Sequence, residues 1–349
     1  EGHFNLDFKN PDYAHHPYNG VTVLRAKFDS WLAGKAEAAG AMLVPGIKVE
    51  KVLKEGERVV GILAGEDEMR ANVVIAADGA NSFIAQEAGL RGRLPTGQVA
   101  VAVKEVIGLP GQVIDERFHL NEGEGAAYTM VGFATRGVSG GGFLYTNRES
   151  LSVGLVINLQ DILKARLNPA DILEDFLAHP MVAPLVKDGD LLEYGAHLVP
   201  EGGVEMMPRL YTHGLLVVGD AAGLSINNGF VVRGMDLAIG SAQVAAQAIL
   251  EAHARQDYSL EGLSAYQKKL EASYVMADMR TYARAPDFML NERVFQAYPE
   301  LLVDVMTRIY SVDARPKEHL LPYVRKSMQE KNISVWDLTR DGIHGARAL

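Results

Sequence analysis

The stretch LLVVGDAAG, residues 215–223, decides how the chain is read. A run of apolar residues ends in Gly219-Asp220-Ala221-Ala222-Gly223. That is the pattern of a buried, parallel-type strand over 215–219 that stops at an acidic residue and enters a close-packed helix. A second stretch follows the same grammar: Val73 to Ala77 is continuously apolar and runs into Asp78-Gly79-Ala80-Asn81-Ser82. In an open α/β sheet, ligands gather beyond the carboxyl ends of the strands. A carboxylate there accepts hydrogen bonds from sugar or ribitol hydroxyls. Small residues after it let the backbone approach a ligand and leave amides free for phosphate. Either turn alone also fits an aspartate that caps the next helix. Two of them in one chain, flanking a different kind of sheet, are far more specific.

That different sheet lies between them. Segments 99–107, 126–133, 141–147 and 151–158 read as antiparallel strands joined by glycine-rich turns, and another strand runs near 191–198. A helix over 169–178 is bounded by Pro169 and Pro180. Upstream, 21–40 reads as a short strand and an amphipathic helix carrying Phe28, Trp31 and Leu32, with Gly40 as its cap. Residues 42–79 read as a β-meander with turns near Glu55-Gly56-Glu57 and Gly65-Glu66-Asp67, and Val49 as core. A helix rich in Ala and Gly spans about 234–254, and from 262 the chain is mainly helical with breaks at Pro286, Pro299, Pro316 and Pro322. The expected fold class is α/β: a nucleotide-binding domain interrupted by an antiparallel-sheet α+β domain and followed by a helical C-terminal region. The corresponding divisions are 1–95, 96–205, 206–261 and 262–349.

Composition narrows the chemistry. The 349 residues suit one large domain or two interleaved ones, and 48% hydrophobic with 22% charged residues is ordinary globular composition. A net charge of −10 argues against a nucleic-acid partner. With no cysteine, thiolate catalysis, redox dithiols, disulfides and any iron–sulfur cluster ligated by this chain are excluded. A disulfide-free chain fits the cytosol. No HExxH or GxSxG spacing occurs, so neither a zinc peptidase nor a serine hydrolase is indicated, and adjacent His15 and His16 read as a polar loop.

Three further stretches point to a family. They are Gly140-Gly141-Gly142-Phe143-Leu144-Tyr145-Thr146-Asn147 with Leu151-Ser152-Val153-Gly154-Leu155-Val156; Ala178-His179-Pro180 with Glu193-Tyr194-Gly195-Ala196-His197; and Gly229-Phe230-Val231-Val232-Arg233-Gly234-Met235-Asp236-Leu237-Ala238. With the paired aspartate turns, they resemble FixC proteins and electron-transfer-flavoprotein:quinone oxidoreductases, which carry the FAD fold of the p-hydroxybenzoate hydroxylase type. The resemblance covers essentially the whole chain, and 140–240 is its specific part. The family's strand–GxGxxG–helix unit has no counterpart here, and the opening Glu1-Gly2-His3-Phe4 reads as a fragment that starts past it.

The resemblance makes the interrupted domain a Rossmann-like FAD/NAD(P)-binding domain, incomplete at its N-terminus, and implies FAD, with Asp220 on the ribitol chain within Gly219, Ala221 and Gly223. Backbone amides from Leu224 to Asn227 and Asn228 would lie near the flavin's pyrimidine edge. Arg25 would face the phosphate–ribose region, where without the resemblance it reads as a solvated helix-start arginine; Asp78 and Gly79 would support the cofactor, and Val49, if not core, would lend main-chain contacts to the adenine. The Gly140-Gly141-Gly142 run reads by itself as a turn or bulge in the antiparallel sheet; under the resemblance, Gly140 and Gly141 would let a quinone head group approach the backbone, beside Phe143 and Tyr145 on one strand face and Leu144 on the other. No dedicated catalytic side chain and no metal ligand is implied. The implied partners are electron-transfer flavoprotein subunits of FixA/FixB type, quinone, and a ferredoxin-like FixX-type protein carrying the iron–sulfur cluster. Residues 262–349 offer a docking surface. The implied location is cytoplasmic, peripheral to the inner face of the membrane; Leu301 to Tyr310 could dip into lipid or pack as a core helix. Arg233 and Asp236 are spaced to pair at i,i+3. Two other readings stay open: a geranylgeranyl-reductase-like flavoprotein, which shares both turns, and a catalytically inert fragment serving as an interaction or structural module.

Overall fold

Valine- and isoleucine-rich alternation between glycine turns builds the first strands of the computed structural model, which describes residues 2–314 and 316–349. β1 (Val49–Glu55), β2 (Arg58–Ala64) and β3 (Asp67–Arg70) form an antiparallel meander. Its turns use Gly56 and Gly65 at φ 60° and 63°, where a side chain would be strained. β4 (Val74–Ala76) leaves this meander. The next five strands, β5 (Val99–Gly108), β6 (Ala127–Met130), β7 (Gly140–Thr146), β8 (Ser150–Asn158) and β9 (Asp190–Pro200), form one sheet in the order β6-β7-β8-β5-β9. β10 (Tyr211–Thr212) and β11 (Leu215–Val217) then join β4, and β12 (Ile226–Asn227) with β13 (Val232–Arg233) make a small hairpin.

Contacts divide the chain into two units: residues up to Met42 with 101–197 and 290–343, and 43–100 with 198–289 and 344–349. In the first, β8 is the spine. Leu151, Val153, Leu155 and Ile157 are fully buried, and on them packs helix Pro169–Ala178 through Ile172, Leu173 and Phe176. That helix starts where the sequence places it, because the Asn168 side chain accepts from the Ala170 amide and Pro169 fills the first turn. Leu144 is buried, while Phe143 and Tyr145 stack at 5.9 Å on the other strand face, as alternation requires.

Three local expectations change. Helix Arg25–Ala38 forms without a preceding strand, and it buries none of its residues; Trp31 is 57% exposed. Its apolar residues instead pair locally, with Phe28 and Trp31 at 5.8 Å and Lys35 over the Trp31 ring. Val49 is exposed rather than core, since only one face of β1 is covered. Pro286, Pro299 and Pro322 lie inside helices Ala285–Met289, Ala297–Tyr310 and Leu320–Glu330. Each falls in a first turn, where the missing N–H has no intrahelical partner to lose, so these prolines begin helices rather than interrupt them.

In the second unit, β11 pairs parallel with β4, Leu215 opposite Val74, Leu216 opposite Ile75 and Val217 opposite Ala76. All three β11 residues are fully buried. Helix Met235–Arg255 closes on them through small residues, Gly240, Ser241, Ala245, Ala248 and Ala252, and the buried Tyr266 hydroxyl donates to Val217 O at 2.8 Å.

Candidate functional site

The two strands that end in aspartate turns are hydrogen-bonded neighbours. The parallel ladder of β4 and β11 is extended by the Val218 amide donating to Ala76 O at 3.0 Å. The turns at 78–82 and 219–223, far apart in sequence, therefore emerge side by side at the carboxyl end of one parallel pair. That is the place where open α/β sheets hold ligands.

The Asp220 turn is a single tight one. Gly219 and Gly223 sit at φ 57° and 73°, the Gly223 amide donates to Asp220 O at 2.9 Å, and Leu224 to Gly219 O at 3.1 Å. A methyl group on Gly219 would lie 3.2 Å from Ala238 Cβ, and one on Gly223 would lie 3.1 Å from Met206 Cγ. Glycine is demanded at both positions by backbone and by space. The Gly219 amide is held by Ser241 Oγ at 3.0 Å. The sequence suggests that a helix follows this turn directly. Instead the chain passes through the β12–β13 hairpin, and the long helix begins at Met235. Its cap residue, Gly234, lies beside Asp220: a methyl there would be 3.8 Å from Asp220 Oδ1.

Asp78 is engaged locally. Ser82 Oγ donates to its Oδ1 at 2.7 Å and the Ile84 amide to its Oδ2 at 3.0 Å, which caps helix Phe83–Glu87. Gly79 takes φ 79° within that turn. Asn227 Oδ1 accepts from the Gly229 amide at 3.0 Å, and Asn228 Oδ1 from Phe230 and Val231 at 3.1 and 2.8 Å. Both asparagine side chains thus shape the hairpin. Arg233 pairs with Asp236, Nε to Oδ2 2.9 Å, as the spacing predicts, and also with Asp278 at 2.7 Å, which the sequence does not reveal.

Two participants carried no sequence signal. Arg91 follows Gly89-Leu90 in no motif and reads as a surface cation, yet its Nη1 donates to Ala80 O and Ala221 O at 3.2 and 3.1 Å. Glu201 follows β9, and its Oε1 accepts from Asn227 Nδ2 at 3.3 Å. It lines a cavity of about 10 Å³ with Ser225, Asn227, Tyr282 and Pro286. Burial raises the Glu201 carboxyl above its ordinary range, against the opposing Asn227 hydrogen bond. The folded state therefore keeps a proton that the unfolded chain releases above about pH 4.3, and stability falls as pH rises through that value. Glu201→Gln, which keeps the acceptor and cannot ionise, is expected to melt above the wild type at pH 7 and to match it below about pH 4. Parallel melting curves across that range would refute this assignment.

Arg25, Gly140 and Gly141 belong to the other unit. Arg25 opens its helix exposed, with Nε and Nη2 on Asp29 at 2.7 and 2.8 Å. Gly140 and Gly141 begin β7. Among the described residues no cluster of His, Asp and Glu is placed to hold a metal ion, and no helix is long and apolar enough to cross a membrane.

Known proteins are similar to this chain over its whole length. Residues 100–199 match the model described as ETF-QO, ubiquinone-binding, and 285–349 match that of the ETF-QO/FixC family C-terminal domain. Over 100% of its length the chain is 45% identical to a protein of Escherichia coli K12 named probable electron transfer flavoprotein-quinone oxidoreductase YdiS, and it spans 81% of that protein. The chain belongs to the ETF-QO/FixC family. Within the family, FixC of Salmonella typhi is 43% identical over the same 100% and 81%. The resemblance drawn from the glycine run and the paired turns is met, and with it the class of electron-transfer oxidoreductase. The fold is also shared with a geranylgeranyl bacteriochlorophyll reductase-like protein of Thermoplasma acidophilum (TM-score 0.63, 23% identity, 91% of this chain and 75% of that one). The flavin-dependent brominase Bmp2 is similar in fold too (TM-score 0.56, 18% identity, 89% and 76%).

Proposed function

We propose that this chain is a FAD-dependent electron-transfer oxidoreductase of FixC type, which takes electrons from an electron-transfer flavoprotein and passes them toward quinone or a ferredoxin-like partner. The observation that carries the reading is the parallel pairing of β4 and β11, which sets the Asp78 and Asp220 turns side by side. The residues suit the cofactor. Asp220 is a half-buried acceptor for uncharged hydroxyls, and the glycines at 79, 219 and 223 hold conformations in which no Cβ blocks a close ligand. FAD supplies the chemistry, accepting electrons in pairs and releasing them singly.

The chain's own part is to bind and orient. Asp220, with Gly219, Ala221 and Gly223, holds the ribitol; the segment through Asn227 and Asn228 serves the pyrimidine edge; Asp78 and Gly79 keep the neighbouring turn in place; Arg25 serves the phosphate–ribose end. Residues 1–95 and 206–261 would form the cofactor domain. The 96–205 domain would take the quinone at Gly140 and Gly141, a role supported by the ubiquinone-binding model matched there. The residues of this chain include no cysteine and cannot themselves ligate a cluster; the cluster on the electron path would be that of a FixX-type protein docked on 262–349. Exchange with a lipid-soluble quinone would place the protein at the inner face of the cytoplasmic membrane.

Purified protein titrated with FAD is expected to bind about one equivalent. The bound flavin should bleach with reduced electron-transfer flavoprotein and recover on adding a short-chain ubiquinone. Failure to bind FAD, or bleaching that only an isoprenoid alkene reverses, would overturn the proposal.

A further inference from the structure

Arg91 stands where the two aspartate turns meet, and local structure explains how it gets there. Gly89 closes helix Phe83–Glu87 at φ 77°, its amide donating to Gln86 O at 3.0 Å, and the Leu90 amide reaches Ala85 O at 2.9 Å. Leu90, 5% exposed, anchors the reversed chain in the core. From the other side, Arg209 holds Gly89 O through Nη2 at 2.9 Å and Leu90 O through its amide at 3.2 Å. The Arg91 side chain is thereby returned to the carboxyl ends of β4 and β11. One nitrogen, Nη1, bridges Ala80 O in the Asp78 turn and Ala221 O beside Asp220. Nη2 is buried and donates to no protein atom among the described residues. That leaves the guanidinium fixed by those two carbonyls.

The hydrogen-bonded ladder that leads into the turns is short, and the core under them, with Ile84, Ala85, Ala221 and Ala222, packs without directional bonds. The ladder between β4 and β11 is three residue pairs long. Among the described residues, Val218 N to Ala76 O is the last backbone hydrogen bond joining the strands before the chain divides into the two turns. Each turn then pivots on left-handed glycines, Gly79 in one and Gly219 and Gly223 in the other.

We propose that Arg91 is a positioning residue of the cofactor site: by bridging Ala80 O and Ala221 O it holds the Asp78 and Asp220 turns at the separation at which they receive FAD. The inference rests on the proposed FAD reading. A charged donor to two carbonyls is the stronger kind of hydrogen bond, and a planar guanidinium fixes both directions at once.

The test compares Arg91→Met, which keeps the side-chain length without donors, and Arg91→Lys, which keeps the charge, in the full chain. Leu263→Ala, buried in the same unit, serves as a control destabilised elsewhere. Four readouts are taken: the FAD dissociation constant by fluorescence titration, visible circular dichroism of the bound flavin, hydrogen exchange, and Tm. Arg91→Met is expected to weaken FAD by about tenfold or more, the worth of one charge-assisted hydrogen bond. It should also change the flavin dichroism and raise exchange in 78–85 and 219–224 together. Arg91→Lys should recover part of the affinity, and Leu263→Ala should lose Tm while keeping the wild-type affinity and dichroism. Wild-type affinity and dichroism in Arg91→Met would overturn the inference, as would exchange that rises in one turn alone. Absence of FAD binding in the wild type would instead sink the cofactor reading. Exchange in the two turns would then decide whether Arg91 couples them.

Discussion

Gly140→Ala is expected to destabilise the five-stranded sheet by more than about 3 kcal/mol, lowering Tm by about 6–12 °C in a domain of this size. Two effects add at this residue. Its φ of 145° lies in a region that residues with a Cβ rarely occupy, and a methyl there would be 2.2 Å from Val156 O and 2.9 Å from Ile157 Cα. Both atoms are backbone of β8, paired with Gly140 through its register with Ile157, so no side-chain rotation relieves the clash. Gly141 is less constrained: it has no left-handed φ, and its methyl would meet a single backbone atom within 3 Å, Met130 O at 2.9 Å, at the end of edge strand β6, which would have to shift. The difference decides how a quinone site is to be probed. Lost quinone turnover in Gly140→Ala would report unfolding, so Gly141→Ala, read beside its own Tm, is the better probe of the approach to the backbone. A Gly140→Ala protein melting within about 2 °C of wild type would contradict the argument.

The glycine run shows what the sequence could and could not convey. It reads either as a strand irregularity or as a ligand approach, and the structure supplies a packing reason for all three glycines. A methyl on Gly142 would lie 2.7 Å from the Phe176 ring, which is itself buried. Features written in neighbouring residues were legible: Pro169 starting a helix, β8 as a strand of the antiparallel sheet, Leu215 to Val217 as a buried strand. That each aspartate turn ends a buried, parallel-type strand was legible too; that the two strands are hydrogen-bonded neighbours was not. What escaped was set by distant chain. Arg91 gains its meaning from Ala221, and Arg233 its second carboxylate from Asp278, partners that no local spacing announces. Trp31 and Leu32 have helical spacing but nothing in that unit covers them; periodicity reports which face is apolar, not whether anything packs on it.

Asp341→Ala is expected to cost about 3 kcal/mol locally and to loosen the C-terminal helices as a group. The Asp341 carboxylate is 5% exposed and accepts from four residues. Oδ2 receives Asn291 Nδ2 at 2.9 Å, Arg293 Nε at 2.7 Å and the Tyr298 hydroxyl at 2.6 Å; Oδ1 receives Arg293 Nη2 at 3.0 Å and Arg340 Nε at 3.1 Å. These donors come from the cap of helix Glu292–Phe295, that helix itself, helix Ala297–Tyr310 and helix Val335–Ala348, so one carboxylate ties them together. Removing it leaves the Arg293 charge and a tyrosine hydroxyl without their shared acceptor. Arg293 first, then Tyr298 and Asn291, hold the carboxyl well below the usual carboxylate range against the opposing effect of burial. Its contribution is therefore complete above the unfolded value of about 3.9 and is lost as pH falls below it. Asp341→Asn should accordingly flatten the acid limb of the stability profile as well as lower its plateau. Urea titrations from pH 3 to pH 7 followed by circular dichroism, with hydrogen exchange of helix Val335–Ala348, report this cluster. A loss under about 1 kcal/mol at pH 7, or an acid limb as steep in Asp341→Asn as in the parent, would show that the cluster does not bind the helices together.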